Sequence, residues 1–282
     1  MLDGAILMWF ILTAMALLFV IADIRNTPES GILKLAFVIV TAFTGPIGAF
    51  LYVLGCREPL PGLHEEYVRA RWRQALGSSM HCVAGDGIGI LTAAVIGGFL
   101  TLPKTVDLVF EYVLGFLFGW SIFQALFMRD MAGGSYARSL KTTFLPELLS
   151  MNCLMAGMIP VMVISMANVA GSHHPQSPAF WFIMCMALLT GFVASYPMNW
   201  WLVAHHLKHG MLTVHKTKPD ESRPSRHEGH QMPMSMEPST PTSDHNPSAA
   251  SGVSARTLAF VTVLSFLVLV IGVGLAAFFG KL

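Results

Sequence analysis

Residues 145–166 read LPELLSMNCLMAGMIPVMVISM. The stretch is apolar enough to lie in lipid, yet it carries Glu147, Asn152 and a run of methionines. Met151, Met155, Met158, Met162 and Met166 recur at steps of four, three, four and four, which puts all five on one face of a helix. A hydrocarbon core of about 30 Å needs roughly 20 helical residues to cross. The block 145–168 qualifies, and its reading sets the class of the whole chain.

Six other blocks share its character, at 4–22, 32–55, 79–101, 106–128, 178–205 and 256–280. All are too long and too poor in alternating polarity for barrel strands, so they read as helices, which satisfy their own backbone in lipid. The expected fold is all-α, a multi-pass helical membrane protein with about seven transmembrane helices. Composition agrees: of 282 residues 54% are hydrophobic and 12% charged. Soluble domains carry about 25% charged residues. Mean hydropathy is +0.61. The formal net charge of +1 offers no field for nucleic acid. The first block lacks a basic leader and a small-residue cleavage site, and reads as a retained anchor.

Lys and Arg set the expected orientation. With the N-terminus cytoplasmic and seven crossings, the outer side holds only Arg25, Lys34, Lys104 and Lys281 of the 17 basic residues. The C-terminus then lies outside. The segments read as two N-terminal spans (1–56), a cytoplasmic interfacial stretch (57–78), a four-helix core (79–212), a linker (213–254) and a C-terminal anchor (255–282). Within 57–78, LHEEYVRARWRQAL (63–76) suits a basic surface helix facing anionic headgroups, or an ordinary polar loop helix. From Lys216 to Ser254 the Ser, Pro, Thr and His content predicts disorder.

Topology brings polar residues of four spans to one layer. Counting 1.5 Å per residue, Asp86 lies about 10 Å into its span, Gln124 and Asn199 about 7 Å, and Met151 and Asn152 about 8–10 Å. His81 and Glu147 lie nearer the boundary. Ionisable groups at membrane depth are costly and mark function, although such layers also bond helices together. Glu147, next to Pro146, has the placing of a helix-start residue favoured by the dipole. Cys82 and Asp86 are four apart and share a face, whereas His81 and Asp86 diverge by about 140°. His81 instead lines up with Gly85, Gly89, Ala93 and Gly97, a small-residue ridge suited to tight helix packing or oligomerisation.

Thioether sulfur suits Cu(I), and Pro160 frees the carbonyl of Ala156 within the methionine row. Methionine is equally a filler of irregular cores. The tract His227-Glu-Gly-His230-Gln-Met232-Pro-Met234-Ser-Met236 mixes imidazole and thioether groups. Candidate ligands for a soft metal, copper foremost, are therefore His81, Cys82, Asp86, Met128, Met151, Met155, Met158, Met162, His227 and His230. Gln124, Glu147, Asn152 and Asn199 form the orienting polar layer. The implied partners are the bilayer and a metal ion or metallochaperone. Cys56, Cys82, Cys153 and Cys185 form no CxxC pair and read as buried thiols. No Walker loop, Rossmann glycine pattern, GxSxG or HExxH occurs, and no catalytic set emerges. A redox factor using Cys82 and Asp86, or a membrane scaffold, are the alternatives to a metal handler.

The blocks MHCVAGDGIGI, Phe123-Gln124 with Met128-Arg129, LPELLSMNCLM and SYPMNWWLVAHHLKHGM resemble the signature of an uncharacterised bacterial integral-membrane family. That family is known as a domain of unknown function, and some members are labelled copper-related. The resemblance covers about residues 70–212. It implies a four-helix core in a bacterial inner membrane, with His81, Asp86, Gln124, Met128, Met151, Met155, Pro197 and Asn199 as signature positions. Similar members often carry a second cysteine near the position of Gly85; here only Cys82 is present.

Overall fold

The structure is a computed structural model, described here over residues 2–60, 62–127, 134–208, 210 and 253–280. Its elements are helices: α1 (Leu2–Asp23), α2 (Gly31–Thr44), α3 (Pro46–Gly55), α4 (His64–Val68), α5 (Arg71–Leu100), α6 (Lys104–Leu117), α7 (Ala125–Phe127), α8 (Tyr136–Asn168), α9 (Pro178–Ala204) and α10 (Ala255–Gly280). A wider π-helical stretch, Phe118–Gln124, continues α6. Among the described residues six helices are long and apolar enough to cross a membrane: α1, α5, α6 with its π stretch, α8, α9 and α10.

The expected second span, 32–55, does not form one helix. It breaks at Gly45, whose backbone (φ 59°, ψ −135°) is open only to glycine, and Pro46 starts a new helix. The two halves fold back on each other. A Cβ on Gly48 of α3 would stand 2.7 Å from the Cα of Thr41 in α2. At the open end Asp23, at the end of α1, accepts hydrogen bonds from Tyr52 Oη at 2.8 Å and Arg57 Nε at 2.9 Å. The tip reaches mid-bundle, where Phe43 lies against Gly87 of α5. This is a re-entrant hairpin, and its tip keeps its backbone satisfied: Gly45 N–H donates to Thr41 O at 2.8 Å. Gly45→Ala places a methyl on Thr13 and Trp9 of α1 as well as straining φ. It is expected to cost about 1–3 kcal/mol, read as a lower unfolding temperature in detergent.

The hairpin changes the topology. Trp9, near the start of α1, packs edge-on against Phe182, near the start of α9, with centroids 6.0 Å apart. The start of α1 therefore lies at the same end of the bundle as the α8–α9 connection, and Gly280 at the end of α10 packs on Val163 at that end too. The opposite-sided termini expected from seven crossings do not hold, because residues 32–55 turn back instead of crossing. Arg25 moves to the end that holds Arg57; Lys34, whose Nζ donates to Arg25 O at 3.1 Å, goes with it. Among the described basic residues only Lys104 is then left for the other end.

The expected surface helix over 63–76 is divided. Only His64–Val68 is a separate helix, and Arg71 onward belongs to α5. Helix α8 is longer than expected and begins at Tyr136, capped by Ser135 Oγ accepting from Arg138 N–H. Pro146 and Pro160 both lie inside it. Helices α8 and α9 pack antiparallel, α5 and α6 likewise, and α10 runs parallel beside α8. Small residues make these close approaches possible. A Cβ on Gly89 would meet the Leu114 carbonyl and the Gly115 Cα, and one on Gly272 would meet the backbone of Ala156. The small-residue ridge of α5 is thus filled by the chain's own α6. The Ala156 carbonyl, freed by Pro160, lies against α10.

Candidate functional site

The π-helical stretch matters because of Gly119. The Asp86 carboxylate reaches directly over that glycine, and a Cβ there would also stand 3.0 Å from Glu147 Oε1. Two carboxylates from α5 and α8 therefore meet over a glycine of α6's continuation. Both residues are fully buried. Asp86 Oδ1 and Oδ2 and Glu147 Oε1 have no hydrogen-bond donor among the described residues.

Glu147 Oε2 is bound. It accepts from the ammonium of Lys208 at 3.1 Å and from Cys82 Sγ at 3.2 Å. Lys208 follows α9 and turns inward, ending 5% exposed. Its Nζ also donates to Asn199 Oδ1 at 3.0 Å and contacts Cys82 Sγ. Burial works against the Lys208 ammonium, but Cys82 and Glu147 outweigh it, so the group is held above its ordinary range. Gln124 Nε2 donates to Cys82 Sγ at 3.0 Å. Asn199 exchanges hydrogen bonds with Ser150 at 3.0 and 3.2 Å, which fixes its oxygen towards the lysine. The result is a cluster with two acids and one ammonium. One carboxylate has its counter-charge; Asp86 does not.

Sequence-predicted residues divide sharply around this cluster. Cys82, Asp86, Gln124, Glu147 and Asn199 come together. His81 is fully buried beside it, its Nε2 3.1 Å from Phe123 O and its ring against the Phe123 ring. Asn152 stands apart: it accepts from Tyr112 Oη at 2.7 Å and donates to Ser265 Oγ at 3.1 Å, tying α8 to α6 and α10. Glu147 is no helix-start residue, since α8 begins eleven positions earlier and carries it into the interior. Met128, His227 and His230 lie outside the described residues. All four cysteines are free and buried. Among the described residues no three His, Cys, Asp or Glu side chains stand close enough to hold a metal ion by themselves.

The methionine row is buried as far as Met162 and partly buried at Met166. Met151, Met155 and Met158 are fully buried and Met162 is 4% exposed. The Met151 methyl packs by Gly115, close to the Asp86 carbonyl. At the far end Met162 and Met166 line a cavity of about 70 Å³ together with Lys104, Asp107, Glu111 and His173. A separate opening of about 270 Å³ reaches Lys208 from the other end and is lined by Arg69, Arg71, Gln74 and His206.

Sequence reasoning missed Lys208, Asp107 and Glu111. A lysine just past a span normally snorkels to water, so nothing local marks this one as buried. Asp107 and Glu111 did leave a signal: two acids four residues apart in an apolar span share a face at membrane depth.

The cluster lies wholly within a recognised sequence unit. Residues 71–208 match the family model described as a domain of unknown function, DUF4396. The four-helix core is thus similar to that family over 71–208. The α1–α3 hairpin unit and α10 are additions outside the DUF4396 match, and every member of the Cys82–Lys208 cluster lies inside it. Neither a curated protein nor a solved structure matches the chain.

Proposed function

We propose that this protein binds a soft monovalent metal ion, copper foremost, and passes it across a bacterial inner membrane along α8 without hydrolysing ATP. The observation that carries the reading is the buried methionine row, which joins a thiol–carboxylate cluster bearing one uncompensated acid to a second acidic cavity at the opposite end. Thioethers are neutral, soft and individually weak ligands, so a series of them allows an ion to move between stations. Cys82, Asp86 and Met151 receive the ion. Glu147 and Lys208 set the local charge, and Gln124 and Asn199 orient them.

The basic residues supply the direction. With Arg25, Arg57, Arg69 and Arg71 at the Lys208 end, that face is cytoplasmic and both termini are external. A mouth lined by Arg69, Arg71 and His206 disfavours a free cation but suits an acidic metallochaperone that delivers one. Transport is then export.

Replacing Met151 and Met155 together with leucine preserves volume and apolarity, so folding should survive. In proteoliposomes loaded with Cu(I) or Ag(I), flux through the full-length double variant is expected to fall at least about ten-fold, as loss of metal-site support generally does. Unchanged flux and binding in a folded double variant would remove the metal-path reading.

A further inference from the structure

Glu111 is 1% exposed, lies on α6 far from the Cys82–Lys208 cluster, and presents Oε2 with no hydrogen-bond partner among the described residues. Asp107, one turn earlier, has the same deficit at Oδ1. Both line the 70 Å³ cavity, together with the sulfur-bearing Met162 and Met166, His173 and Lys104. A buried carboxylate oxygen without a donor is costly in a bundle interior and is relieved by a proton, a cation or a donor from outside the protein. The cavity has room for that: liquid water takes about 30 Å³ per molecule, so an ion with a water fits.

The charge pattern repeats that of the other end. Asp86 and Glu147 face one lysine, Lys208; Asp107 and Glu111 share their cavity with one lysine, Lys104. Each end of the methionine row thus carries one acid more than it has ammonium groups. The donor set at this end combines hard carboxylate, soft thioether and borderline imidazole, which accepts a monovalent soft cation at low coordination.

We infer that the Asp107–Glu111–Met162–Met166 cavity is a second binding site, the release station for the soft monovalent cation that arrives along α8. The inference rests on the metal-path reading for the identity of the ion, while the site is defined by its own residues. Carboxylates at this end supply the charge that the methionines lack, and His173, exposed on the connection after α8, lines the cavity beside them. An ion leaving Met162 gains a charged partner there before it meets water.

The test is titration of the purified full-length protein with Ag(I), followed by calorimetry, on wild type and on two matched variants. Glu111→Gln is isosteric and removes the charge; Met162→Leu with Met166→Leu removes the sulfurs and keeps the volume. Each is expected to bind one equivalent fewer than wild type, while Cys82→Ser with Met151→Leu loses a different equivalent and the two losses add. If both cavity variants bind as wild type while the Cys82–Met151 variant loses its equivalent, the second site is overturned and the metal path stands. If wild type and all variants take up the same amount of Ag(I), both fall together.

Discussion

Replacing Lys208 with methionine is expected to lower the stability of the folded protein by about 3–5 kcal/mol, the usual cost of removing one partner from a buried ion pair. The side chain fits the same space but leaves Glu147 Oε2, Cys82 Sγ and Asn199 Oδ1 without their shared donor. Two buried acids then face each other over Gly119 with no counter-charge. Denaturant or thermal unfolding in a fixed detergent measures the loss. The decisive comparison is the double variant Lys208→Met with Glu147→Gln. Removing both charges is expected to recover most of the deficit, giving a large coupling between the positions. A Lys208→Met protein as stable as wild type would mean that the ammonium does not hold the four-helix core together.

The second large effect is expected at the α5–α6 crossing. Gly89→Leu drives a side chain into the Leu114 carbonyl and the Gly115 backbone, neither of which can turn aside. Overpacking of this kind costs about 3 kcal/mol. It also pushes α6 outward, carrying with it both Glu111 and the π-helical turn that seats Asp86. Folding yield and unfolding temperature should drop together. Gly274→Leu is the matched control: in α10 nothing lies within 4 Å of a Cβ at Gly274, so that variant is expected to behave as wild type. Equal yields from the two would show that helix approach at Gly89 is not limiting.

Much of the fold was legible because span-length apolar blocks have few structures open to them. The limits of α9 and α10 are within a residue or two of those read from hydropathy. Residues 32–55 defeated that logic: the block has the length of a crossing, and only the Gly45-Pro46 pair hints that it turns back. Hydropathy counts apolar residues and is blind to direction, so one broken block changes which helix ends share an end of the bundle. The polar layer was legible for a similar reason, since rise per residue fixes depth along a helix. Which members of the layer bond to each other was not. Asn152 and Glu147 lie five residues apart on α8, yet Asn152 ties helices together and Glu147 becomes the hub, because rotation about the axis decides the neighbour. Lys208 was hidden altogether, its burial being created by the chain folding inward after α9.

That inward fold also bears on how the end of α9 stands to the start of α10. Leu207 packs in one small apolar cluster with Val261 near the start of α10. The residues just after α9 and the start of α10 therefore stand together, beside the opening that leads to Lys208. A shift in the start of α10 is thus passed through Val261 and Leu207 to the residues that border the Lys208 opening.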